Sequence, residues 1–515
     1  MIIISHHRAE ELVSVSRNAE ELSNFAVDLT QVFWQLCHKF PEDLIIWKED
    51  SVQFEEHNIS HIFPHSLIMA SHPVANYFIG DEIGYVDQLP FVNPKLEVRY
   101  PTWRMSTDVG GIYGKTAQQF EDTFKHIKSF GYLLNSMAKT GQQNSLFCYS
   151  DPALVQSKLE NKKLPTRNTS VLFSFVGQHY KKVRLLILFF CFLKYERKFP
   201  LISLLKALFK TSYFPLNVDL PQPELPESNN IPDSEKIDVI IPTLGRPQHL
   251  KNVLFDLRNQ QMKPEKVIIV EQNPNSNSSS DLNYLKTEEW PFQIIHHFIN
   301  QTGACNARNL ALKEVKSDLV FFADDDIRFE ADMLSKAVTE MRKLNIDALN
   351  LNTLQLGEKT EFSKMKQWGV FASGASIVRS KFAKKVSFSL AFEHGFGEDN
   401  DYGMKLRKLG CDIIYHSQII LQHLKVASGG FRYVMQDEKI VSSQKPKPSP
   451  TFMLLVNRHY NNIMRRGYKV NLFLKFYSRQ SVRNPIRYFS VMERRWEISE
   501  QKAMELQQQS NSTSR

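Results

Sequence analysis

The residues best suited to chemistry in this chain are three consecutive carboxylates, Asp324, Asp325 and Asp326, in the segment VFFADDDIRF (320–329). They follow directly on the apolar run LVFFA (319–323), which reads as a buried strand. Adjacent carboxylates repel one another and cost stability unless something positive sits among them. In an extended segment, residues two apart point the same way. Asp324 and Asp326 are therefore expected to share a face, with Asp325 turned away. Two oxygen donors on one face suit a hard divalent cation, Mg²⁺ or Mn²⁺, whose remaining ligands come from water and phosphate. The plainer reading of the same residues is a solvated acidic turn or a helix cap.

The elements that would position such a cluster are legible on both sides of it. IDVII (237–241), VIIV (267–270), IIHHFI (294–299) and LVFFA read as short apolar strands. Between them, 246–260 places Leu250, Val253, Leu254 and Leu257 at helical spacing, and 306–315 places Ala307, Ala311 and Val315 on one face. A further helix is expected over 332–344, and further strands over 347–352 and 411–423. Alternation of strand and helix with continuous apolar strands predicts an α/β fold, its sheet covered on both faces. In open α/β sheets ligands bind beyond the carboxyl ends of the strands, where the three carboxylates stand.

The chain has 515 residues, too many for one core, so two to four domains are expected. FPLNVDLPQPELPESNNIPD (214–233) holds five prolines and no apolar period, and reads as a linker over 215–234. It separates an N-terminal α/β accessory domain (1–214) from the patterned region (235–444). In the N-terminal region MIIIS, 43–47, 66–71 and 171–177 read as strands, and 10–40 as one long helix or two. The run LLILFFCFL (185–193) reads as a buried strand or, with the basic residues around it and PLISLLKALFK after it, as a shallow membrane contact. The stretch 100–115, aromatic with a Gly-Gly turn, reads as ordinary packing or a carbohydrate-binding edge. The tail (445–515) has a helical look and a disordered end; from Lys445 to Trp496 it carries twelve Lys or Arg against Glu493 alone. A solvated helical face or an anionic membrane surface would suit it; no nucleic-acid recognition motif accompanies the charge. Five scattered cysteines without a CxxC pair argue against a disulfide framework or a structural zinc site. With no secretory signal visible in MIIISHHRAEELVS, the expected location is cytoplasmic, peripheral at an inner membrane face if the tail binds lipid.

Five short motifs in order resemble the family 2 glycosyltransferases: IIPTLGRP (240–247), GACNARN (303–309), Asp324–Asp325–Asp326, GFGEDNDYGMKLRKLG (395–410) and LQHLK (421–425). The resemblance covers about 237–432, under half of the chain. It implies a GT-A fold with a mixed, mostly parallel sheet and a domain that moves a sugar from a nucleotide-sugar donor to an acceptor hydroxyl, with inversion. It implies Asp326, Asp324 and His423 at the divalent cation, with His416 a rival to His423; on a continuous strand the two histidines, seven apart, would face opposite sides. It implies Asp399 as catalytic base beside Glu398, which would also orient the acceptor. Asp401 would either touch the acceptor or cap the helix Tyr402 to Leu409. Pro242, Thr243, Arg246, Glu271, Gly303, Arg308, Asp324, Asp325 and Gly374 are the residues expected on the nucleotide-sugar side. Glu271 stands where the family commonly has an Asp. Small residues at 373–376 leave room for a sugar, and Trp368 would stack on an acceptor ring or pack in the core. SGG (428–430) reads as a mobile loop.

The resulting expectation is synthesis of a cell-surface polysaccharide or lipid-linked oligosaccharide in a bacterium, on a saccharide or lipid-linked saccharide acceptor, without nucleic acid. An inactive carbohydrate-binding scaffold is the non-enzymatic alternative. A nucleotidyltransferase ranks below both, because TLGRP offers a single Gly and a single Arg where a Gly-rich basic loop is needed. The N-terminal region shows no Asp-x-Asp after a strand and is expected to be an accessory domain or a degenerate second glycosyltransferase-like domain.

Overall fold

The computed structural model describes all residues except 27, 75–76, 157–167, 222–234, 425–444 and 514–515. Most of the expected linker and the SGG turn therefore lie outside the described residues. The chain divides into two units, Met1–Leu225 with Tyr460–Arg479, and Pro226–His459 with Gln480–Arg515.

The first unit holds an eight-stranded sheet of β1 (Ile2–His7), β2 (Glu11–Arg17), β3 (Glu20–Leu22), β4 (Leu44–Glu49), β5 (Ile68–Ser71), β6 (Tyr100–Pro101), β7 (Val109–Tyr113) and β8 (Phe147–Ser150), in the order β3-β2-β1-β4-β7-β5-β8-β6. Its principal helices are α1 (Leu29–Lys39), α2 (Phe130–Gly141), α3 (Thr169–His179), α4 (Val183–Cys191) and α5 (Leu201–Leu208). Asp28 caps α1 by accepting from the N–H groups of Thr30 and Gln31. The core beneath the sheet is built from Phe33, Trp47, Trp103, Phe120, Phe130 and their neighbours, all buried.

The second unit holds β9 (Ile237–Leu244), β10 (Lys266–Gln272), β11 (Gln293–Ile299), β12 (Leu319–Ala323), β13 (Ile327–Arg328), β14 (Ala348–Leu354), β15 (Lys366–Gln367), β16 (Ala375–Arg379) and β17 (Ile413–His423). The order is β11-β10-β9-β12-β16-β14-β17-β13, with β15 paired to β17. β11, β10, β9 and β12 are parallel, and β16 runs antiparallel to both of its neighbours. Every residue of β12 is buried, as a central strand with helices on both faces requires. α6 (Pro247–Arg258) leads from β9 towards β10 on one side, and α7 (Ala304–Glu314) enters β12 on the other. The strand order therefore reverses between β9 and β12, which opens a crevice at their carboxyl ends. α8 (Met333–Lys343) and α9 (Glu398–Lys408) complete the unit. The α/β architecture with a mixed sheet is the one expected.

From β1 and β9 onward the two sheets share a pairing plan. β1 runs parallel to β4, β4 antiparallel to β7, β7 antiparallel to β5, β5 parallel to β8 and β8 antiparallel to β6. The series β9, β12, β16, β14, β17, β15 repeats these relations strand for strand. The difference lies on the outer side of β1. There β2 is antiparallel, part of a meander with β3, where β9 has the parallel pair β10 and β11.

Three local expectations are overturned. Residues 171–177 and 185–193 are helical, in α3 and α4, not strands; short all-apolar runs carry no period that separates the two states. The 10–40 stretch is not one long helix: it begins as the β2–β3 hairpin, turned at Asn18 and Ala19 with φ of 49° and 71°, before α1. The tail is not a unit by itself. α10 (Pro450–His459) and α12 (Pro485–Thr513) belong to the second unit, and α11 (Asn462–Tyr477) to the first. Met453, Val456, Met492 and Trp496 are buried within the second unit, so much of the tail's apolar surface is spent on packing.

Candidate active site

The crevice between β9 and β12 is lined by the three carboxylates, each with its own partners. Arg308 Nη2, from α7, donates to Asp324 Oδ1 at 2.9 Å. Thr243 Oγ1, at the end of β9, donates to Asp325 Oδ2 at 2.7 Å. Arg246 Nη1 spans Asp325 Oδ1 at 3.1 Å and Asp326 Oδ2 at 2.9 Å. His423 Nε2, on the last residue of β17, lies 3.3 Å from Asp326 Oδ1. This pairing corrects the expectation that Asp324 and Asp326 share a face. Residues 325–326 form a turn before β13, so the two-residue alternation of a strand does not apply. Burial raises Asp325 to about 6, with Thr243 and Arg246 opposing the shift.

Gly374 makes the position of Asp324 possible. A Cβ built there would lie 2.0 Å from Asp324 Oδ2, and the Asp324 N–H donates to the Gly374 carbonyl. The antiparallel pairing of β12 with β16 sets this approach, since Ala323 stands opposite Ala375.

Asp399 comes to the same crevice from the first turn of α9, which starts at Gly397 in a positive-φ conformation. Its Oδ1 is sealed from solvent and has no hydrogen-bond partner. Burial raises Asp399 to about 6; Arg308 and a hydrogen bond from Ser373 oppose the shift, and Glu398 and Asp324 add to it. Glu398 is half-buried beside it. Asp401 goes elsewhere. It is fully buried, with Oδ1 2.8 Å from His459 Nε2 and 3.2 Å from Arg458 Nη1, and Oδ2 2.7 Å from Lys405 Nζ. Despite burial, the His459 hydrogen bond and Lys405 bring Asp401 down to about 2. It does not cap α9, which begins three residues earlier, and its charge is met by Lys405, Arg458 and His459.

The nucleotide side is more enclosed than expected. Glu271, at the end of β10, accepts from Ser280 Oγ at 2.5 Å and from the Asp281 N–H at 3.2 Å, and its Oε2 lies 2.9 Å from His296 Nε2. It forms a covered wall, and Tyr284 lies within electrostatic reach of both Glu271 and Asp325. Pro242 and Thr243 close β9, with both residues buried. Gly303, at φ 143°, starts α7, but a carboxylate already sits there: Glu393 Oε1 and Oε2 accept from the N–H groups of Cys305 and Asn306 at 3.1 and 2.9 Å. A Cβ on Gly303 would lie 2.2 Å from Glu393 Cδ. Sequence reasoning missed Glu393 and Tyr284; the only signal for Glu393 was its nearness to the GFGEDND stretch.

Trp368 packs in an aromatic group with Phe362 and Tyr415, at centroid distances of 5.2 and 5.1 Å. His416 is buried and turned towards α8, 3.9 Å from Glu340, while His423 faces the carboxylates. A register shift in the pairing of β14 with β17, after Leu351 and His416, separates the two histidines.

The donor set beside Asp326 fits a divalent cation in that a carboxylate oxygen and an imidazole nitrogen lie 3.3 Å apart, while the Arg246 guanidinium on the other Asp326 oxygen is a competing positive charge. Asp324 stands apart from that pair, held by Arg308. Among the described residues, the grouping of three metal-capable side chains with ligand atoms all within 4.8 Å is His7, Glu49 and Asp50, in the first unit. By strand pairing Glu49 occupies the place of Asp324: its N–H donates to the Asp108 carbonyl across β4 and β7, as that of Asp324 does to Gly374 across β12 and β16.

Comparison with known proteins bears on the second unit. Residues 238–394 match the family model described as Glycosyl transferase family 2, so the unit carries a glycosyltransferase family 2 domain. An uncharacterized glycosyltransferase, YfnE of Bacillus subtilis (strain 168), is 29% identical over 104 residues, which is 20% of this chain and 26% of that protein. The match thus spans about a quarter of that relative's length. Among solved structures, S. aureus TarS 1-349 is similar at 14% identity over 53% of this chain and 83% of that chain, with a TM-score of 0.36. The mannosyltransferase PcManGT from Pyrobaculum calidifontis, solved in complex with GDP-Man and Mn²⁺, is similar at 13% identity over 52% and 87%, with a TM-score of 0.33.

Proposed function

We propose that the second unit transfers a sugar, with inversion, from a nucleoside diphosphate sugar to an acceptor hydroxyl, and that Asp399 is the base. The observation that carries the reading is Asp399 Oδ1, a sealed carboxylate oxygen without a partner, close to the arginine that holds Asp324. An acceptor hydroxyl that displaces the cover over Oδ1 supplies the missing hydrogen bond and loses its proton there as its oxygen attacks the anomeric carbon. The bond from that carbon to the diphosphate breaks, and the nucleoside diphosphate leaves. Arg308 fixes Asp324 and faces Asp399, so the acceptor side and the donor side are aligned through one side chain. Thr243 and Arg246 hold Asp325 and Asp326 at the mouth of β9, where the donor's phosphates would lie.

Asp326 and His423 would hold a Mg²⁺ or Mn²⁺ ion, with Asp324 facing it through water or the donor's ribose. When bound, such an ion stabilises the charge of the leaving diphosphate. Glu398 orients the acceptor beside Asp399. Trp368, in its aromatic group, shapes that side of the crevice rather than stacking freely. A saccharide or lipid-linked saccharide is the acceptor class proposed, in the building of a cell-surface polymer. The test is nucleotide release by the full chain with a panel of nucleotide sugars and Mn²⁺ or Mg²⁺. Turnover with at least one donor, abolished in Asp326→Ala, supports the reading. Absence of both turnover and donor binding across the panel would sink it and favour a sugar-binding scaffold.

For the first unit we infer a reduced second copy of the same fold. Its support is the shared pairing plan and the placing of Glu49 and Asp50 where Asp324 and Asp325 stand. The β2–β3 meander replaces the parallel pair that walls the nucleotide side, so this unit is an accessory domain without a donor site. Loss of donor binding in Asp326→Ala with no residual site in a titration is the result expected.

A further inference from the structure

We infer that α4, the turn after it and α5 in the first unit form a surface that docks in the plane of an anionic lipid bilayer. α4 buries Leu185, Ile187, Leu188 and Cys191 but leaves Leu186 and Phe190 exposed, one turn apart. α5 buries only Leu204 and Ala207. Its other apolar side chains recur at helical spacing on the outer face, including Ile202, Leu205 and Phe209. Phe199 precedes the helix. Phe209 is 88% exposed, Ile202 71% and Phe199 68%, values that water-facing helices of a packed unit do not need.

The charges around this apolar face decide what covers it. Between Lys181 and Lys210 the chain has eight Lys or Arg and a single acid, Glu196. Glu196, which accepts from the Tyr85 hydroxyl at 2.6 Å, offsets only one of them. α11, the basic part of the tail that belongs to this unit, packs against α4 and sets the Arg466 guanidinium 5.1 Å from the Tyr195 ring. A second copy of the chain laid face to face on this surface would oppose like charges. An anionic bilayer instead receives the apolar side chains below its headgroups and pairs the basic ones with lipid phosphates.

The surface is already formed without lipid. Lys182 Nζ donates to the carbonyls of Ala207 and Lys210, at 3.1 and 2.7 Å, which ties the start of α4 to the end of α5. Neither helix can cross a bilayer: α5 has 8 residues and α4 has 9, about 12 and 14 Å at the rise of an α-helix, against a hydrocarbon core of about 30 Å. Among the described residues no helix is long and apolar enough to span. The contact is therefore interfacial.

The test uses the purified full chain and vesicle flotation. One set of vesicles is phosphatidylcholine alone; the other contains one part in three phosphatidylglycerol. The wild type is expected to float with the anionic vesicles, and to do so about tenfold less with the neutral ones or at high salt. Phe199→Ser/Ile202→Ser/Phe209→Ser and Lys194→Glu/Arg197→Glu/Lys198→Glu are each expected to lose about tenfold in binding, with unchanged thermal melting. Equal flotation of the wild type and both variants on anionic vesicles would overturn the assignment, as would no flotation of the wild type. A dimer that the serine variant dissociates, without lipid binding, would assign the surface to a second copy instead.

Discussion

Asp401 offers the sharpest separation of support from chemistry, because it lies two residues from the proposed base and yet is ion-paired to Lys405, Arg458 and His459, away from the three carboxylates. In Asp401→Asn the side chain keeps its shape and loses its charge, while Lys405, Arg458 and His459 stay in place. The carboxyl sits at about 2 against an ordinary 3.8; a shift of this size is worth about 2 to 3 kcal/mol of stability at neutral pH. Because the folded value is the depressed one, that contribution is complete above about pH 4 and is lost as pH falls towards 2. For a unit of this size the expected fall in melting temperature is about 5 °C or somewhat more at pH 7, and the gap between the two proteins should narrow below pH 4. Melts followed by circular dichroism across pH, beside transfer kinetics below the melt, measure both arms. Transfer by the folded variant should stay within about threefold of wild type. A large loss of transfer with an unchanged melt would show that Asp401 touches the acceptor and refute this account of it.

Two further substitutions probe how the site is held. Gly374→Ala puts a methyl group where Asp324 Oδ2 lies, so the carboxylate must turn from Arg308; donor-dependent turnover should fall by about tenfold or more with little change in melting, and wild-type turnover would contradict the assigned contact. Glu393→Ala leaves the Cys305 and Asn306 N–H groups of α7 uncapped. A loss of about 1 kcal/mol in stability is expected, together with a lower kcat as Arg308 on the same helix loses its fixed start. Glu393→Gln, which can accept at one N–H, should fall between the two.

What could be read beforehand follows from how each segment is buried. The central strands are covered on both faces, so β9, β10 and β12 appear in the sequence as plain apolar runs, and the polar residues at their ends stand out. That is why the three carboxylates could be named from the residues alone; Thr243, Arg246, Arg308, Asp399 and His423 were named through the resemblance to the family 2 glycosyltransferases. Which oxygen met which cation could not be named, because residues 325–326 turn and Arg246 reaches back from the loop after β9. Glu393 was invisible because its role is to bond backbone N–H groups 87 and 88 positions away. In the first unit the same run of apolar residues meant something else: Leu185 to Leu193 is helical, with one face in the core and one exposed, and an all-apolar run hides which face is which. The β2–β3 hairpin was hidden because Asn-Ala replaces the Asn-Gly that usually marks such a turn. Glu49 and Asp50 at the end of β4 drew no reading from the sequence, because their correspondence to Asp324 and Asp325 lies only in the strand pairing of each sheet.

The central claim is that Asp399 takes the acceptor's proton, and the pH dependence of kcat/KM tests it most directly. With the Asp399 carboxyl raised to about 6, wild-type kcat/KM should rise about tenfold per pH unit below that value and level off above it. Asp399→Asn should be lower by about 10² to 10⁴ and show no such limb. A variant that keeps wild-type activity, or that keeps the same acid limb at reduced rate, would contradict the assignment.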